Sequence, residues 1–342
     1  MTSQTHMRRE ILEIPAIVEN LLSHEQANMK AAAKVLAERD PAFLISVARG
    51  SSDHAATYFK YATELTAGVP VASVGPSIAS IYEKKLKLQG AACLAISQSG
   101  KSPDIVRMAD MAREAGALTF AMTNHADSDL ANVSAHTLNL QAGAELSVAA
   151  TKTFVTSVVS ALWLLAEWQR DEALLEAIHK LPQALEKAVT MDWSALGEQI
   201  ASQPSLFCLG RGTTLAMSNE AALKFKETCQ LHAESYSSAE VLHGPVSIVD
   251  QGFPVIALTA ADQAEQALVD VADQIADKGA MVFATSDKVQ RASRLPVAAT
   301  AHPLTDPISL ITSFYALVEQ VAVSRGVNPD EPRHLKKVTE TV

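Results

Sequence analysis

Short apolar runs alternate along this chain with stretches whose apolar residues fall at helical spacing. Runs at 42–48, 71–74, 91–97, 117–122 and 136–140 read as strands, each bounded by polar or turn-forming residues. Between them the pattern changes period; "DIVRMADMAREAG", after Pro103, carries its apolar residues three and four apart. A long apolar helix over 151–169 closes this half. The stretch 171–203 is amphipathic and interrupted by Pro182, and strand-like runs resume at 205–209, 254–258, 280–284 and 295–299. Strands alternating with helices imply parallel sheets with helices on both faces. The pattern therefore predicts an α/β chain with two tandem doubly wound parallel-sheet domains. They occupy 41–170 and 204–330, after a helical segment over 1–40, with a helical linker over 171–203 and a tail over 331–342.

The two halves resemble each other. "FLISVARGSSDHA" (43–55) and "LFCLGRGTTLAMS" (206–218) are each an apolar strand, then Arg-Gly, then two hydroxyl residues, then a helix. The closing helices, 151–169 and 307–324, correspond in order. The second is well delimited, with Asp306 suited to the N-cap, Pro307 to the first turn, and Gly326 past the end.

Composition narrows the chemistry. With 342 residues and 48% hydrophobic content the chain can bury a sizeable core. A formal charge of −10 argues against a nucleic-acid partner and against an anionic membrane surface, so an anionic ligand would need a local trap of N–H groups. The longest apolar tract, Thr153–Ala166, is too short for about 30 Å of hydrocarbon, and the start "MTSQTHMRREILEI" lacks the layout of a secretory signal. The three cysteines, Cys93, Cys208 and Cys229, have no metal-ligand spacing and form no even disulfide set, so a cytoplasmic location is expected.

Two turns in the first half supply such a trap. "GSS" (50–52) and "SQSGKS" (97–102) follow successive strands and precede helices, whose first N–H groups favour an anion. Neither a G-x-x-x-x-G-K-[ST] nor a G-x-G-x-x-G pattern is present, which points to a phosphate rather than a nucleotide. In the second half, Glu220, Lys224 and Glu227 lie at i, i+4 and i+7 and share a helix face, a spacing most often met in solvated ion pairs. The following "ESYSSAEVLHGPV" reads as a loop that sets His243 on a rigid turn before Gly244 and Pro245. A carboxylate and an imidazole held near a phosphate form the acid–base pair that sugar enolisation requires. Near the C-terminus, Pro332 and Leu335 suggest a docked tail whose Lys336 or Lys337 could reach a carbonyl or enolate oxygen.

Taken in order, "RGSS", "SQSGKSPD", "ATKTF", "EAALKFKE", "HAESYSSAEVLHGP" and "PRHLKKVT" resemble the sugar-phosphate enzymes built from two SIS domains, flavodoxin-like in fold. The likeness is to the isomerase part of glucosamine-fructose-6-phosphate aminotransferase and to the stand-alone glucosamine-6-phosphate deaminases. It implies that Ser52, Ser97, Gln98, Ser99 and Ser102 hold the sugar phosphate, with Gly50, Ser51 and Val148 shaping or lining the site. It implies that Glu227 moves a proton between C1 and C2, that Lys224 supports it, that His243 opens the ring, and that Lys337 sits at the C1 oxygen. It further implies a homodimer with active sites at the subunit interface, where the ring-opening histidine comes from the neighbouring subunit, and no metal or organic cofactor. The chain departs from the synthase pattern at Ala150, where a serine is expected, and at His334, where an asparagine is expected. No glutaminase domain precedes the sugar domains, so ammonia is not expected to be drawn from glutamine. The expected reaction is glucosamine 6-phosphate plus water to fructose 6-phosphate plus ammonia. The alternatives are a galactosamine-6-phosphate deaminase, a fructosamine-6-phosphate deglycase, and, outside enzymes, a sugar-phosphate sensor.

Overall fold

Two five-stranded sheets, parallel throughout, form in a computed structural model that describes residues 4–337. Helices α1 (His6–His24) and α2 (Gln26–Arg39) come first. The first sheet holds β1 (Leu44–Val47), β2 (Val71–Ser73), β3 (Ala92–Ile96), β4 (Leu118–Thr123) and β5 (His136–Asn139). Between and after them run α3 (Ser51–Thr66), α4 (Ser77–Ser80), α5 (Pro103–Glu114), α6 (Asp129–Val133) and α7 (Lys152–Gln169). Helices α8 (Glu172–Ala188) and α9 (Ser194–Ile200) lead to the second sheet. That sheet comprises β6 (Ser205–Gly210), β7 (His232–Ser237), β8 (Pro254–Ala257), β9 (Met281–Ala284) and β10 (Ser293–Arg294), with α10 (Thr213–Cys229), α11 (Glu265–Ala276) and α12 (Asp306–Ser324).

The strand orders are β2-β1-β3-β4-β5 and β10-β9-β8-β6-β7. Read from opposite edges they are the same order, with the first strand of each sheet between its second and third. That places a topological switch point, where α/β sheets bind ligands, between β1 and β3 and again between β6 and β8. Strands β1, β3 and β8 are buried at every residue, because helices cover both faces. Helix packing repeats as well: α7 lies on α2 and α3, and α12 lies on α9 and α10. Helix α12 is long and apolar enough to cross a membrane by composition alone, but 83% of that stretch is buried inside the protein.

Contacts divide the chain into two compact units. One, the first-sheet unit, comprises Ala16–Glu145, Lys152–His179 and the residues from Lys336 on; the other, the second-sheet unit, comprises the residues up to Pro15, Leu146–Thr151 and Lys180–Leu335. Residues 338–342 of the tail and 1–3 of the leading segment lie outside the described residues.

Four local expectations are corrected. Pro182 does not interrupt its helix: α8 runs through it, since proline removes one hydrogen bond while Leu174, Ile178, Leu181 and Leu185 are all buried along one face. Strand β7 occupies the start of the segment read as a loop; it is an edge strand of mostly half-buried residues, which lacks an apolar run. Strand β10 lies just before 295–299 rather than in it, and Pro296 has no N–H to add to a ladder. Asp306 is the first residue of α12 and Thr305 its N-cap. The Asp306 carboxylate accepts instead from the Ala261 N–H (3.1 Å) and the Thr300 hydroxyl (2.7 Å).

Candidate functional site

Strands β1 and β3 are paired in register, Val47 against Ala95, so the turns that leave their carboxyl ends are neighbours within the first-sheet unit. Those turns are Arg49–Ser52 and Ser97–Ser102. One ion pair straps them together: Asp104, fully buried in the first turn of α5, accepts from Arg49 Nε at 2.8 Å and from a terminal guanidinium nitrogen at 2.7 Å. Sequence reasoning noted Asp104 only as part of a motif; the strap depends on strand order and could not be seen beforehand.

The second turn is held from behind. The Gly100 N–H donates to the Ser97 carbonyl (3.1 Å) and hydroxyl (3.2 Å), and the Gly100 carbonyl accepts from Leu130 N–H (3.0 Å). The Gln98 carbonyl accepts from Asn124 N–H at 3.1 Å and the Thr123 hydroxyl at 3.3 Å. Ser97 is buried, Gln98, Ser99 and Ser102 are half-buried, and the Ser99 hydroxyl accepts from Lys101 N–H at 3.3 Å. Ser102 stands at the N-cap of α5 without capping it, so a plain capping serine does not account for that hydroxyl. Ser51 and Ser52 open α3 and are half-buried.

The counterpart turn after β6 has the same backbone but is closed. Gly212 (φ 57°, ψ −127°) repeats Gly50 (φ 55°, ψ −132°). Yet Thr213 and Thr214 are buried, and the Thr214 hydroxyl accepts from Arg211 N–H (3.0 Å) and donates to the Arg211 carbonyl (2.9 Å). Where the first unit has "SQSGKS", the loop after β8 reads Thr259-Ala260-Ala261-Asp262, with hydroxyls replaced and an acid gained. Of the two repeats, the first keeps Ser51, Ser52, Ser99 and Ser102 half-buried, while the second buries Thr213 and Thr214.

Helix α10 carries Glu220, Lys224 and Glu227 in the second-sheet unit. Lys224 Nζ lies 3.1 Å from Glu220 Oε1 and 2.6 Å from Glu227 Oε2. This is no solvated stripe: the Lys224 and Glu220 side chains are 0% exposed and Glu227 is 22% exposed. Burial pulls the Lys224 ammonium down, but the carboxylates of Glu220 and Glu227 outweigh it and hold the group above the ordinary lysine range, so it is charged at neutral pH. Glu227 is thus fixed through one oxygen on a buried cation, while its side chain as a whole remains partly exposed. Tyr315 on α12 donates to Glu220 Oε1 at 3.1 Å, a partner that the sequence did not reveal. His243 ends the 3-10 turn Glu240–His243, exposed, ahead of Gly244.

Val148 is half-buried, and its N–H donates to the Asp330 carbonyl (3.3 Å). The Asp330 carboxylate also caps α1, accepting from the N–H groups of His6 and Met7 at 2.7 Å each. Beside it, buried Glu10 of α1 accepts from Leu146 N–H and, at 3.3 Å, from Ser147 N–H. The tail does not dock through Leu335, which is 42% exposed; Pro332 is buried instead. In the first-sheet unit, Lys337 Nζ pairs with Glu145 Oε2 at 2.7 Å, while Lys336 is exposed. Glu145 is fully buried and also accepts from the Thr153 N–H (3.1 Å) and hydroxyl (2.7 Å). His334 has φ 65°, in the left-handed region that asparagine also tolerates, which accounts physically for the departure at that position. The three cysteines are buried; burial pushes Cys93 and Cys229 up to about 12 and Cys208 higher still, so none is a thiolate nucleophile at neutral pH.

The SIS domain family matches residues 39–167 and 199–324, one match over each sheet, and the chain belongs to that family. A glutamine–fructose-6-phosphate aminotransferase (isomerizing) of Sulfurisphaera tokodaii is 31% identical over 97% of this chain and 56% of its own length. The chain therefore spans about half the length of the curated relatives it matches. Among solved structures, a candidate phosphosugar isomerase from Silicibacter pomeroyi is 60% identical, with a TM-score of 0.93 over 96% of this chain and 100% of that one. The C-terminal domain of a glucosamine-fructose-6-phosphate aminotransferase from Francisella tularensis is 25% identical, with a TM-score of 0.86 over 97% of this chain and 99% of that one.

Proposed function

We propose that this chain isomerises and deaminates an amino sugar phosphate, converting glucosamine 6-phosphate and water to fructose 6-phosphate and ammonia. The observation that carries the reading is the Glu220–Lys224–Glu227 group, a partly exposed glutamate fixed on a buried ammonium. The hydroxyl turns at Ser51–Ser52 and Ser97–Ser102 hold the phosphate, with α3 aiming its first-turn N–H groups at it. His243 opens the ring by moving a proton between the anomeric hydroxyl and the ring oxygen. Glu227 then takes the C2 proton while the aldehyde oxygen is protonated, and returns a proton to C1. The resulting C2 imine adds water and expels ammonia, so atoms and charge balance without an oxidant. The carbonyl and imine serve as electron sinks, and Lys337 stabilises the C1 oxygen. Acid–base assistance of this kind is worth about 10²–10⁴-fold per group. The working form is a homodimer in which His243 serves the partner's site.

Ammonia release from glucosamine, galactosamine and fructosamine 6-phosphates, with C2–H exchange followed in D2O, tests this. Glucosamine 6-phosphate should exchange and release ammonia, and Glu227→Gln should bind it yet lose both. Turnover confined to the galactose epimer or to the fructosamine would reassign the substrate. Tight binding of sugar phosphates with no turnover in any arm would make the chain a sensor.

A further inference from the structure

The proposed reaction needs Glu227 held at a fixed angle, and three contacts run back from it, through Lys224 and Glu220 to Tyr315. Lys224 bridges two carboxylates, and being buried it cannot be stabilised by water. The bridge is asymmetric, 2.6 Å to Glu227 and 3.1 Å to Glu220. The longer arm ends on Glu220 Oε1, the same oxygen that accepts from the Tyr315 hydroxyl at 3.1 Å. A carboxylate with no exposed surface draws on every donor within reach, so the tyrosine proton meets part of the demand that Lys224 would otherwise meet. Tyr315 is itself fully buried and its place is not negotiable: its neighbour Phe314 packs edge-on against Phe225 of α10, with centroids 5.1 Å apart and planes at 79°. Helix α12 therefore presents the hydroxyl to α10 at a set height, that of Glu220.

Resting on the reading above, we infer that Tyr315 is a positioning residue for proton transfer. By sharing Glu220 it leaves the Lys224 ammonium leaning toward Glu227, which keeps one carboxylate oxygen pinned. Without the hydroxyl, Lys224 swings toward Glu220, four residues back along the helix, and Glu227 is released to sample orientations that miss C2.

Tyr315→Phe removes one oxygen and keeps the ring, and Glu220→Gln is the second variant. In C2–H exchange of glucosamine 6-phosphate, Tyr315→Phe should lower kcat about 10-fold or more with KM within about twofold of wild type. The double variant should lose less than Tyr315→Phe alone, because without the Glu220 charge nothing draws Lys224 away from Glu227. The 15N signal of the Lys224 ammonium, assigned by its loss in Lys224→Met, gives a readout free of turnover. In Tyr315→Phe its hydrogen exchange should speed up about 10-fold. Wild-type kcat in Tyr315→Phe, additive losses in the double variant, or an unaltered Lys224 signal would each overturn the inference. A wild-type protein that exchanges no C2 proton would sink the deamination reading instead, and the Lys224 signal alone would then decide whether Tyr315 holds that ammonium.

Discussion

At the scale of single residues, the turn Ser97–Ser102 rests on Gly100, the one glycine in "SQSGKS". Its φ is +63°, and a Cβ there would collide with the Ser128 side chain, which caps α6. Gly143 shares the same φ with nothing within 4 Å of its would-be Cβ, so the pair separates two costs. Gly143→Ala should lose only the backbone term, about 1–2 kcal/mol. Gly100→Ala should lose that and about 1–3 kcal/mol more from overpacking, and should weaken sugar-phosphate binding as the loop shifts. Urea midpoints compare the stabilities and calorimetric titration the binding; equal losses in both variants would mean the loop gives way freely. The turn was legible as a turn because serines cluster between a run that reads as a buried strand and a stretch of helical period. What was not legible is how the sister turn "GRGTT" closes: Thr214 spends its hydroxyl on Arg211, a choice that no spacing records.

At the scale of elements, Glu145 joins segments that the chain keeps far apart. It lies just before α7, accepts from Thr153 in the first turn of that helix, and holds Lys337 from 192 residues away. A lone acid in "AGAELSVAATKTF" shows none of this, since its partner is set by the fold and not by any local period. Glu145→Gln keeps an acceptor for Thr153 but removes the charge facing Lys337. Stability should fall by about 1–3 kcal/mol, the cost of unpairing a buried charged bond, while kcat falls more steeply as Lys337 loses its place. Faster amide exchange confined to the tail, with α7 unchanged, would mark the released segment. A tail that stays protected in this variant would show that Pro332, not the ion pair, holds it. The strands themselves were readable wherever both faces are buried, as in β1, β3 and β8. Strand β7 escaped because an edge strand with one polar margin loses the apolar run that betrays the others.

At the scale of the whole molecule, the duplication was legible from two short segments, and strand order extends it to the full topology of both sheets. Less legible was where one unit stops. Helices α1 and α8 each contribute residues to both units, changing allegiance after Pro15 and after His179, and a continuous helical period gives no sign of that. The duplication is also unequal in chemistry: the first-sheet unit keeps the open hydroxyl turns, and the second-sheet unit keeps Glu227, Lys224 and His243. If His243 serves the partner's site, as proposed, two inactive variants should repair each other. A mixed dimer of Glu227→Gln and His243→Ala chains has one site lacking both groups and one site with both intact, because a two-fold interface pairs each glutamate with the other chain's histidine. Random exchange of subunits makes half the dimers mixed, so about a quarter of wild-type activity should return after the two are denatured and refolded together. Neither variant refolded alone should regain any. If Glu227 and His243 of the same chain act together, every site in the mixture lacks one of them, and co-refolding will recover nothing.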